Sequence, residues 1–243
     1  PDNRILFPDG LKIDCNSSKS GCACDNRRDM KCPQSTSPIY QTSTYVQTLP
    51  GEHKGFEYSR THNPTRTVLQ KNMAAIENAK HGLCFASGMA AIDTIIKLLE
   101  PGDEVISNND LYGGTYRIFT QIFAKYGIKF HFIDMKDANT VEDYVNPNTK
   151  LIWLETPSNP LMNIIDIKAV SAIAKKHNLL LGVDNTFATP YLQNPIGLGA
   201  DIVMHSVTKY IGGHGTVIGG IIVDGGNFDW TVNPKRQPLF NEP

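Results

Sequence analysis

The sequence lacks the features of membrane proteins and of nucleic-acid-binding proteins. None of its apolar runs approaches the roughly 20 residues that a helix needs to cross a bilayer. It has no long basic run, and its formal net charge is -1, whereas nucleic-acid-binding proteins usually carry a concentrated basic surface. The N-terminal residues do not follow the basic and then apolar pattern of a secretory signal. We therefore expect a cytoplasmic protein with neither a membrane partner nor a nucleic-acid partner.

Cysteine is scarce and unevenly placed. The chain has five cysteines, and Cys15, Cys22, Cys24 and Cys32 all lie near its start. Four thiolates can hold zinc, but neither pair has the C-x-x-C spacing of a zinc knuckle. We favour free thiols in a polar arm and expect no metal; a zinc-dependent N-terminal module is the alternative. Cys84 lies in an apolar run, where cysteine packs as a small hydrophobic residue.

The beginning of the chain has the composition of an arm. Residues 1 to about 37 are rich in polar residues, glycine and cysteine, and they show no sustained apolar period. Residues 37–60 contain β-formers and look extended. We therefore predict an N-terminal arm over residues 1–60 and one large domain over residues 61–243.

The large domain alternates between helical and strand patterns. Amphipathic segments predict helices at 64–79, 89–99, 115–126 and 166–177. Short apolar segments predict strands at 83–86, 104–107, 128–133, 150–154, 179–183, 201–204 and 220–223. This alternation is typical of an α/β fold with a mostly parallel sheet covered on both faces. Because ligands of such sheets bind at the carboxyl ends of the strands, we expect the functional residues there.

A lysine with two hydroxyl residues follows one of these strands. Lys209 comes shortly after the strand at 201–204, and Ser206 and Thr208 stand just before it. A desolvated lysine amine loses its proton readily and can form a Schiff base, while short hydroxyl side chains suit a phosphate. For this motif alone, a surface lysine is the other interpretation.

Three other strand ends carry related chemistry. Asp184 follows an apolar strand, and an aspartate there can keep a pyridine nitrogen protonated, although a turn aspartate is the alternative. At Gly88 and Met89 a strand passes through small residues into a helix, whose dipole and N–H groups bind anions such as phosphate. A tight turn alone would also explain that glycine. Tyr112, beside two glycines, offers a ring that can stack on a flat cofactor; a core tyrosine is the alternative.

Together these segments resemble the Cys/Met-metabolism family of enzymes that use pyridoxal 5'-phosphate (PLP). The resemblance runs from about Ser37 to the C-terminus. It is carried by GFEYSR at 55–60, NPTR at 63–66, FASGMAA at 85–91, YGGT at 112–115, ETPSNP at 155–160, VDNT at 183–186 and HSVTKY at 205–210. It implies the fold-type I, aminotransferase-like architecture, in which helices flank a mostly parallel seven-stranded sheet.

The resemblance also implies roles for individual residues. Lys209 would carry PLP covalently and move protons, Asp184 would pair with the pyridine nitrogen, and Tyr112 would stack on the ring. The residues implied to hold the phosphate are Gly88, Met89, Ser206 and Thr208. Those implied around the ring and its 3'-oxygen are Glu155, Asn159 and Thr186.

An oligomer with shared sites is implied as well. Tyr58 and Arg60 match family positions that reach the phosphate of the neighbouring subunit, and an arginine suits phosphate because of its planar fork of donors. The arm would therefore contact that subunit. The expected assembly is a homotetramer, a dimer of dimers.

The implied activity is γ-elimination or γ-replacement on a sulfur-containing amino acid, as in transsulfuration. Most of the body, including residues 189–195, resembles cystathionine γ-lyases and γ-synthases, which we favour. GGHGT at 212–216 and the segments 224–230 and 238–243 resemble O-acetylhomoserine sulfhydrylase, an aminocarboxypropyltransferase. Methionine γ-lyase and cystathionine β-lyase are further alternatives.

The family's C-terminal small domain is absent from this sequence. That domain bears the arginine that binds the substrate carboxylate, so this arginine has no counterpart to assign here. We expect the large domain to be incomplete at its C-terminus. A truncated, non-catalytic relative is the alternative of another class.

Overall fold

The computed structural model describes residues 5–6, 12–13 and 37–231. The chain divides into two units, residues 1–72 and residues 73–243. The large sheet belongs to the second unit. The domain limits expected from the sequence stay a prediction.

The first unit contains short antiparallel ribbons and the start of a helix. The ribbons pair β1 (Ile5–Leu6) with β2 (Lys12–Ile13), and β3 (Gln47–Leu49) with β4 (Glu52–His53). Helix α1 (Pro64–Ile76) follows. The Asn63 side chain accepts the backbone N–H of Thr65 at 2.8 Å, and proline is favoured at the first helical position because its missing N–H would have no partner in the helix. These two features determine where α1 begins.

Seven strands form one sheet in the second unit. They are β5 (His81–Phe85), β6 (Glu104–Asn108), β7 (Lys129–Ile133), β8 (Thr149–Glu155), β9 (Leu180–Asp184), β10 (Ile202–Ser206) and β11 (Gly220–Asp224). Their order across the sheet is β5-β11-β10-β9-β8-β6-β7. Strand β11 runs antiparallel to both of its neighbours, and the other neighbouring pairs are parallel. The predicted seven-stranded, mostly parallel sheet is confirmed.

Helices and apolar side chains cover both faces of this sheet. The remaining helices are α2 (Gly88–Ile96), α3 (Gly113–Gln121), α4 (Ile167–Lys176) and α5 (Thr189–Leu192). Because successive side chains of a strand point to opposite faces, the strands supply two separate cores. Trp153 of β8 packs in one core with Phe119 of α3, and Leu154 packs in the other with Val170 of α4. The predicted flanking helices are therefore confirmed.

Some short segments differ from the sequence prediction. The helix predicted at 115–126 is α3 followed by a 3-10 helix at Phe123–Tyr126, which ends at Gly127 with a φ of 83°. Another 3-10 helix at Ala138–Tyr144 and the four-residue α5 were not predicted. Segments this short do not span enough residues to display a helical period.

The described residues hold no group of three or more His, Cys, Asp or Glu side chains that could bind a metal ion. The N-terminal cysteines Cys15, Cys22, Cys24 and Cys32 lie outside the described residues, so the zinc alternative stays untested there. Cys84 is half-buried in β5 and packs against the core. Within the described part of the chain, no helix is long and apolar enough to cross a membrane.

Candidate active site

A cavity of about 820 Å³ lies where three parallel strands end. Glu155, Asp184 and Ser206 are the last residues of β8, β9 and β10, and all three line it. Parallel strands bring their carboxyl ends to one edge of a sheet, which explains the meeting of residues far apart in sequence. All of the site residues predicted within the second unit line this cavity: Gly88, Met89, Tyr112, Glu155, Asn159, Asp184, Thr186, Ser206, Thr208 and Lys209.

The two remaining predicted residues, Tyr58 and Arg60, belong to the first unit. The guanidinium carbon of Arg60 lies 5.0 Å from the centroid of the Tyr58 ring, a distance typical of a cation–π contact. Arg60 is exposed and Tyr58 is half-buried. Their contact with the phosphate of a neighbouring subunit stays a prediction.

One wall of the cavity is the start of helix α2. Ser87 caps this helix, because its hydroxyl accepts the N–H of Ala90 at 3.1 Å. The first N–H groups of a helix have no partner within it and lie at the positive end of its dipole. A Cβ on Gly88 would lie 2.9 Å from the Cβ of Ser206. Only glycine therefore lets the end of β10 approach the helix start this closely.

Residues with hydroxyl groups at the ends of β9 and β10 also line the cavity, and they are held by hydrogen bonds with backbone groups. The N–H of Ser206 donates to the Thr186 hydroxyl at 2.9 Å, which joins the ends of β9 and β10 on the cavity side. The Thr208 hydroxyl accepts the N–H of Gly219 at 3.2 Å. The same hydroxyl donates to the carbonyl of Gly219 at 3.3 Å, and because a hydroxyl has a single donor, Thr208 would have to leave that carbonyl to donate to an anion.

The carboxyl of Asp184 lies at the floor of the cavity. It is buried, and its Oδ1 accepts the backbone N–H of Thr186 at 3.0 Å. Burial raises the pKa of Asp184, while hydrogen bonds from Thr186 and the electrostatic influence of His205 oppose that rise. A buried carboxylate of this kind is stabilised by a cationic partner. The floor therefore suits a protonated ring nitrogen.

Glu155 is the neighbour of Asp184 in the sheet. Their Cα atoms are register partners on β8 and β9, so both side chains point to the same face. Burial, followed by repulsion from Asp184, raises the pKa of Glu155 to about 8. Its Oε2 accepts the backbone N–H of Tyr112 at 2.8 Å. Glu155 is thus mostly a neutral acid at pH 7, and it anchors the loop that carries Tyr112.

The Tyr112 ring lies at the entrance of the cavity. It is 45 % exposed, and a Cβ on Gly114 would lie 2.4 Å from its Cε1 and 3.0 Å from the sulfur of Met89. The glycine therefore makes room for the ring and for Met89. A half-exposed tyrosine on the cavity wall differs from the core tyrosine that was the alternative.

Asn159 is positioned by an aspartate that the sequence reasoning missed. Asp110 is buried, and its Oδ2 accepts the Ser158 hydroxyl and the backbone N–H of Leu161, the latter at 3.1 Å. These two bonds hold the loop on either side of Asn159. The place of Asp110, two residues after β6 ends, was the available signal, because it repeats the strand-end pattern used for Asp184.

Lys209 lies in the turn after β10. Its backbone N–H donates to the carbonyl of Ser206 at 3.1 Å, and its side chain lines the same cavity as Asp184 and Gly88. The residue is exposed in this chain. A primary amine, a buried carboxyl and a helix start with glycine thus share one cavity.

The raised pKa of Glu155 predicts how stability depends on pH. The folded chain keeps a proton that the unfolded chain releases, since the pKa rises from 4.5 to about 8. The stability from this proton is fully present below pH 4.5 and is lost as the pH rises to about 8, by at most about 1.4 kcal/mol per pH unit. Glu155→Gln should remove this dependence of the free energy of unfolding on pH. Urea unfolding of both chains across that window measures it.

Glu104→Gln is the control for this prediction. Hydrogen bonding from His131, the largest cause, lowers the pKa of Glu104 to about 2. The stability that ionised Glu104 gives to the folded chain is therefore present above pH 4.5 and is lost only as the pH falls towards 2. Above pH 4.5, the free energy of unfolding should change with pH equally in the wild type and in Glu104→Gln. A Glu155→Gln chain with the wild-type slope would show that Glu155 is ionised at pH 7.

Comparisons with known proteins agree with this geometry. The sequence profile of a family described as Cys/Met metabolism PLP-dependent enzyme matches residues 21–238. A probable cystathionine gamma-synthase of Herpetosiphon aurantiacus is 56% identical over 76% of this chain and 58% of its own length. A cystathionine gamma-synthase/O-acetylhomoserine (thiol)-lyase of Bacillus subtilis is 50% identical over 82% of this chain and 53% of its own length.

A solved structure agrees as well. Cystathionine gamma-lyase from Lactobacillus plantarum, complexed with L-serine, superimposes with a TM-score of 0.75 at 48% identity, over 77% of this chain and 49% of that one. The chain spans about half the length of the relatives it matches. It belongs to the Cys/Met metabolism family of PLP-dependent enzymes.

Proposed function

We propose that this chain is the cofactor-binding part of a PLP-dependent enzyme that acts on sulfur-containing amino acids by γ-elimination or γ-replacement. The observation that carries the proposal is the shared cavity of Lys209, Asp184 and the helix start at Gly88. These supply an amine, a carboxyl and an anion site. An aldehyde, a ring nitrogen and a phosphate are the three groups of PLP that they would bind.

The residues present fit this cofactor. The close approach at Gly88, which a Cβ would block, leaves the N–H groups of Gly88 and Met89 beside the Ser206 and Thr208 hydroxyls, a set of donors suited to phosphate. Asp184 offers a buried carboxyl to the ring nitrogen. Tyr112 offers its ring as a stacking surface, and Asn159 and Thr186 line the wall between these groups.

When bound, PLP supplies an electron-withdrawing ring that stabilises negative charge on the substrate's α-carbon. The chain's own residues do the remaining work. Lys209 would hold the cofactor until the substrate's amine displaces it from the aldehyde carbon, and its freed amine would then take the proton from the α-carbon and return it at a neighbouring carbon. Asp184 keeps the ring nitrogen protonated. Glu155, as a neutral acid, holds the Tyr112 loop without adding a second negative charge beside Asp184.

The proposal is tested by trapping the cofactor. The purified chain is incubated with PLP, reduced with borohydride and digested, and the labelled peptide is identified by mass spectrometry. The expected result is a protein that turns yellow with PLP, loses this colour on reduction and then carries a stable adduct on Lys209. A chain that stays colourless and carries no adduct would overturn the proposal and favour the non-catalytic relative.

The substrate is a second question. We favour cystathionine, because the motifs that resemble cystathionine γ-lyases and γ-synthases cover more of the chain. The segment GGHGT at 212–216 and the double name of the Bacillus subtilis relative favour O-acetylhomoserine with sulfide instead. Comparing kcat/KM for cystathionine cleavage with kcat/KM for sulfide transfer to O-acetylhomoserine separates the two; a higher value for sulfide transfer would reverse our preference. The cytoplasmic location stays a prediction.

Gly88→Ala is expected to weaken PLP binding by about tenfold or more, because the new Cβ would lie 2.9 Å from Ser206 Cβ and 3.2 Å from its Cα and would displace the phosphate donors. Equilibrium titration with PLP measures this. Gly113→Ala, whose Cβ would meet nothing within 4 Å, is the control and should bind PLP as the wild type does. Equal affinities for all three chains would contradict the phosphate assignment.

The predicted oligomer adds a test at Arg60. We propose that Arg60 binds the phosphate of a neighbouring subunit in a homotetramer with shared sites. Arg60→Ala should then weaken PLP binding in the oligomer, and Arg60→Lys should restore it only in part, since lysine lacks the planar fork. Sedimentation velocity checks the assembly. An oligomeric Arg60→Ala chain with wild-type PLP affinity would argue against shared sites.

A further inference from the structure

A buried network lies on the face of the sheet opposite the cavity. Ser206 of β10 lines the cavity, whereas the preceding residue, His205, is fully buried away from it. Asp184, the last residue of β9, and Thr186 line the cavity, and the buried Asn185 between them does not. Alternate residues of a strand point to opposite faces. His205 and Asn185 therefore lie directly behind the site.

Glu77, just after α1, joins these two residues. Its Oε1 lies 2.5 Å from Nε2 of His205 and accepts the amide N–H of Asn185 at 3.1 Å. Its Oε2 accepts the amide N–H of Asn194 at 3.2 Å. Glu77 and His205 are both 0% exposed. A buried pair of this kind is stable only when its polar atoms are well bonded. Both oxygens of Glu77 are bonded, whereas Nδ1 of His205 is buried without a hydrogen-bond partner.

The network also reaches a third strand. The Gln193 amide donates to Oδ1 of Asn185 and to the carbonyl of Thr156, each at 2.9 Å. Thr156 directly follows Glu155 at the end of β8. The ends of β8, β9 and β10, which carry the carboxyls and hydroxyls of the site, are thus tied together from behind.

We propose that Glu77 and His205 are positioning residues for the PLP site, which hold the end of β9 with Asp184 and the end of β10 with Ser206 in register. The inference rests on the proposed function. Neither residue reaches the cavity, so both act through the strand ends. The electrostatic influence of His205 also opposes the rise that burial causes in the pKa of Asp184.

The same sheet contains a matched pair away from the cavity. Oε2 of Glu104 lies 2.5 Å from Nε2 of His131 and accepts the amide N–H of Asn146 at 2.8 Å. Glu104 is the first residue of β6, so this pair lies near the amino ends of the strands. Neither residue lines the cavity. The two pairs share a glutamate–histidine contact but hold opposite ends of the strands. The Glu104 pair is also less buried, and Glu104 has Lys129 as a second partner at 3.4 Å.

The test compares Glu77→Gln with Glu104→Gln. Each keeps the shape of the side chain, yet puts an N–H where an oxygen accepted and removes the carboxylate beside a histidine. Urea unfolding of the cofactor-free chains is expected to show a loss of stability in both. Only Glu77→Gln should weaken PLP binding, by about tenfold, and change the absorbance band of the bound cofactor. Titration with PLP, followed by absorbance, measures both effects.

Several outcomes would overturn the inference. Wild-type PLP affinity and absorbance in a folded Glu77→Gln chain would do so, and so would an equal loss of affinity in Glu104→Gln. If Glu77→Gln does not fold, His205→Gln is subjected to the same comparison. A wild-type chain that takes up no PLP would overturn the proposed function and this inference with it. If the wild type binds PLP and neither Glu77→Gln nor His205→Gln changes PLP binding, the inference is overturned and the proposed function is not.

Discussion

Replacing Lys209 with alanine is expected to abolish the borohydride-stable adduct and to lower turnover by about 10³-fold or more. Lys209 is the only lysine among the described residues that line the cavity, which it shares with Asp184 and Gly88. Under the proposed function, the loss of this amine would leave the cofactor without a covalent attachment and the α-carbon without a base. Peptide mapping after reduction and steady-state kinetics measure the two losses.

Two control variants distinguish the role of the Lys209 amine as a base from the role of its positive charge. Lys209→Arg keeps a cation at the position, but a guanidinium stays protonated in proteins and cannot act as a base. It should be as inactive as the alanine variant. Lys168→Ala removes an exposed cation from α4 and should leave turnover unchanged. Substantial activity in Lys209→Arg would mean that another group removes the proton.

Replacing Asp184 with asparagine is expected to slow the exchange of the substrate's α-proton with solvent deuterium by about 10³-fold. Asparagine has nearly the same shape and can still accept the N–H of Thr186, but it carries no charge to keep the ring nitrogen protonated. The cofactor-free variant should also be more stable near pH 7, because burial raises the pKa of Asp184 and a neutral side chain avoids that cost. NMR of the substrate and urea unfolding measure the two effects.

Asp201→Asn is the matched control for this experiment. Asp201 is buried and accepts the N–H of Leu181 at 2.9 Å, and burial, as the largest cause, raises its pKa to about 6. It precedes the first residue of β10, at the far end from the cavity. Its replacement should change stability and leave proton exchange as in the wild type. Equal exchange rates in Asp184→Asn and wild type would remove Asp184 from the mechanism.

The residues that sequence reasoning found share one property, a local signal. Asp184 and Lys209 follow apolar strands, and Gly88 and Met89 stand between a strand and a helix, so neighbours in sequence reveal their position. Glu77 and His205 lack such a signal. They are 128 residues apart, and a glutamate that follows a helix looks like any solvated residue until the sheet places a histidine against it.

The sequence by itself determined the α/β class, the number of strands in the large sheet and the family, because apolar periods and strand-end motifs are local patterns. Only the tertiary structure decided that β11 is antiparallel and that Glu155 lies beside Asp184. It also decided that Glu77 is buried against His205. The physical reason is that register, burial and charge environment depend on which strands become neighbours, and that order arises only when the distant segments pack into one sheet.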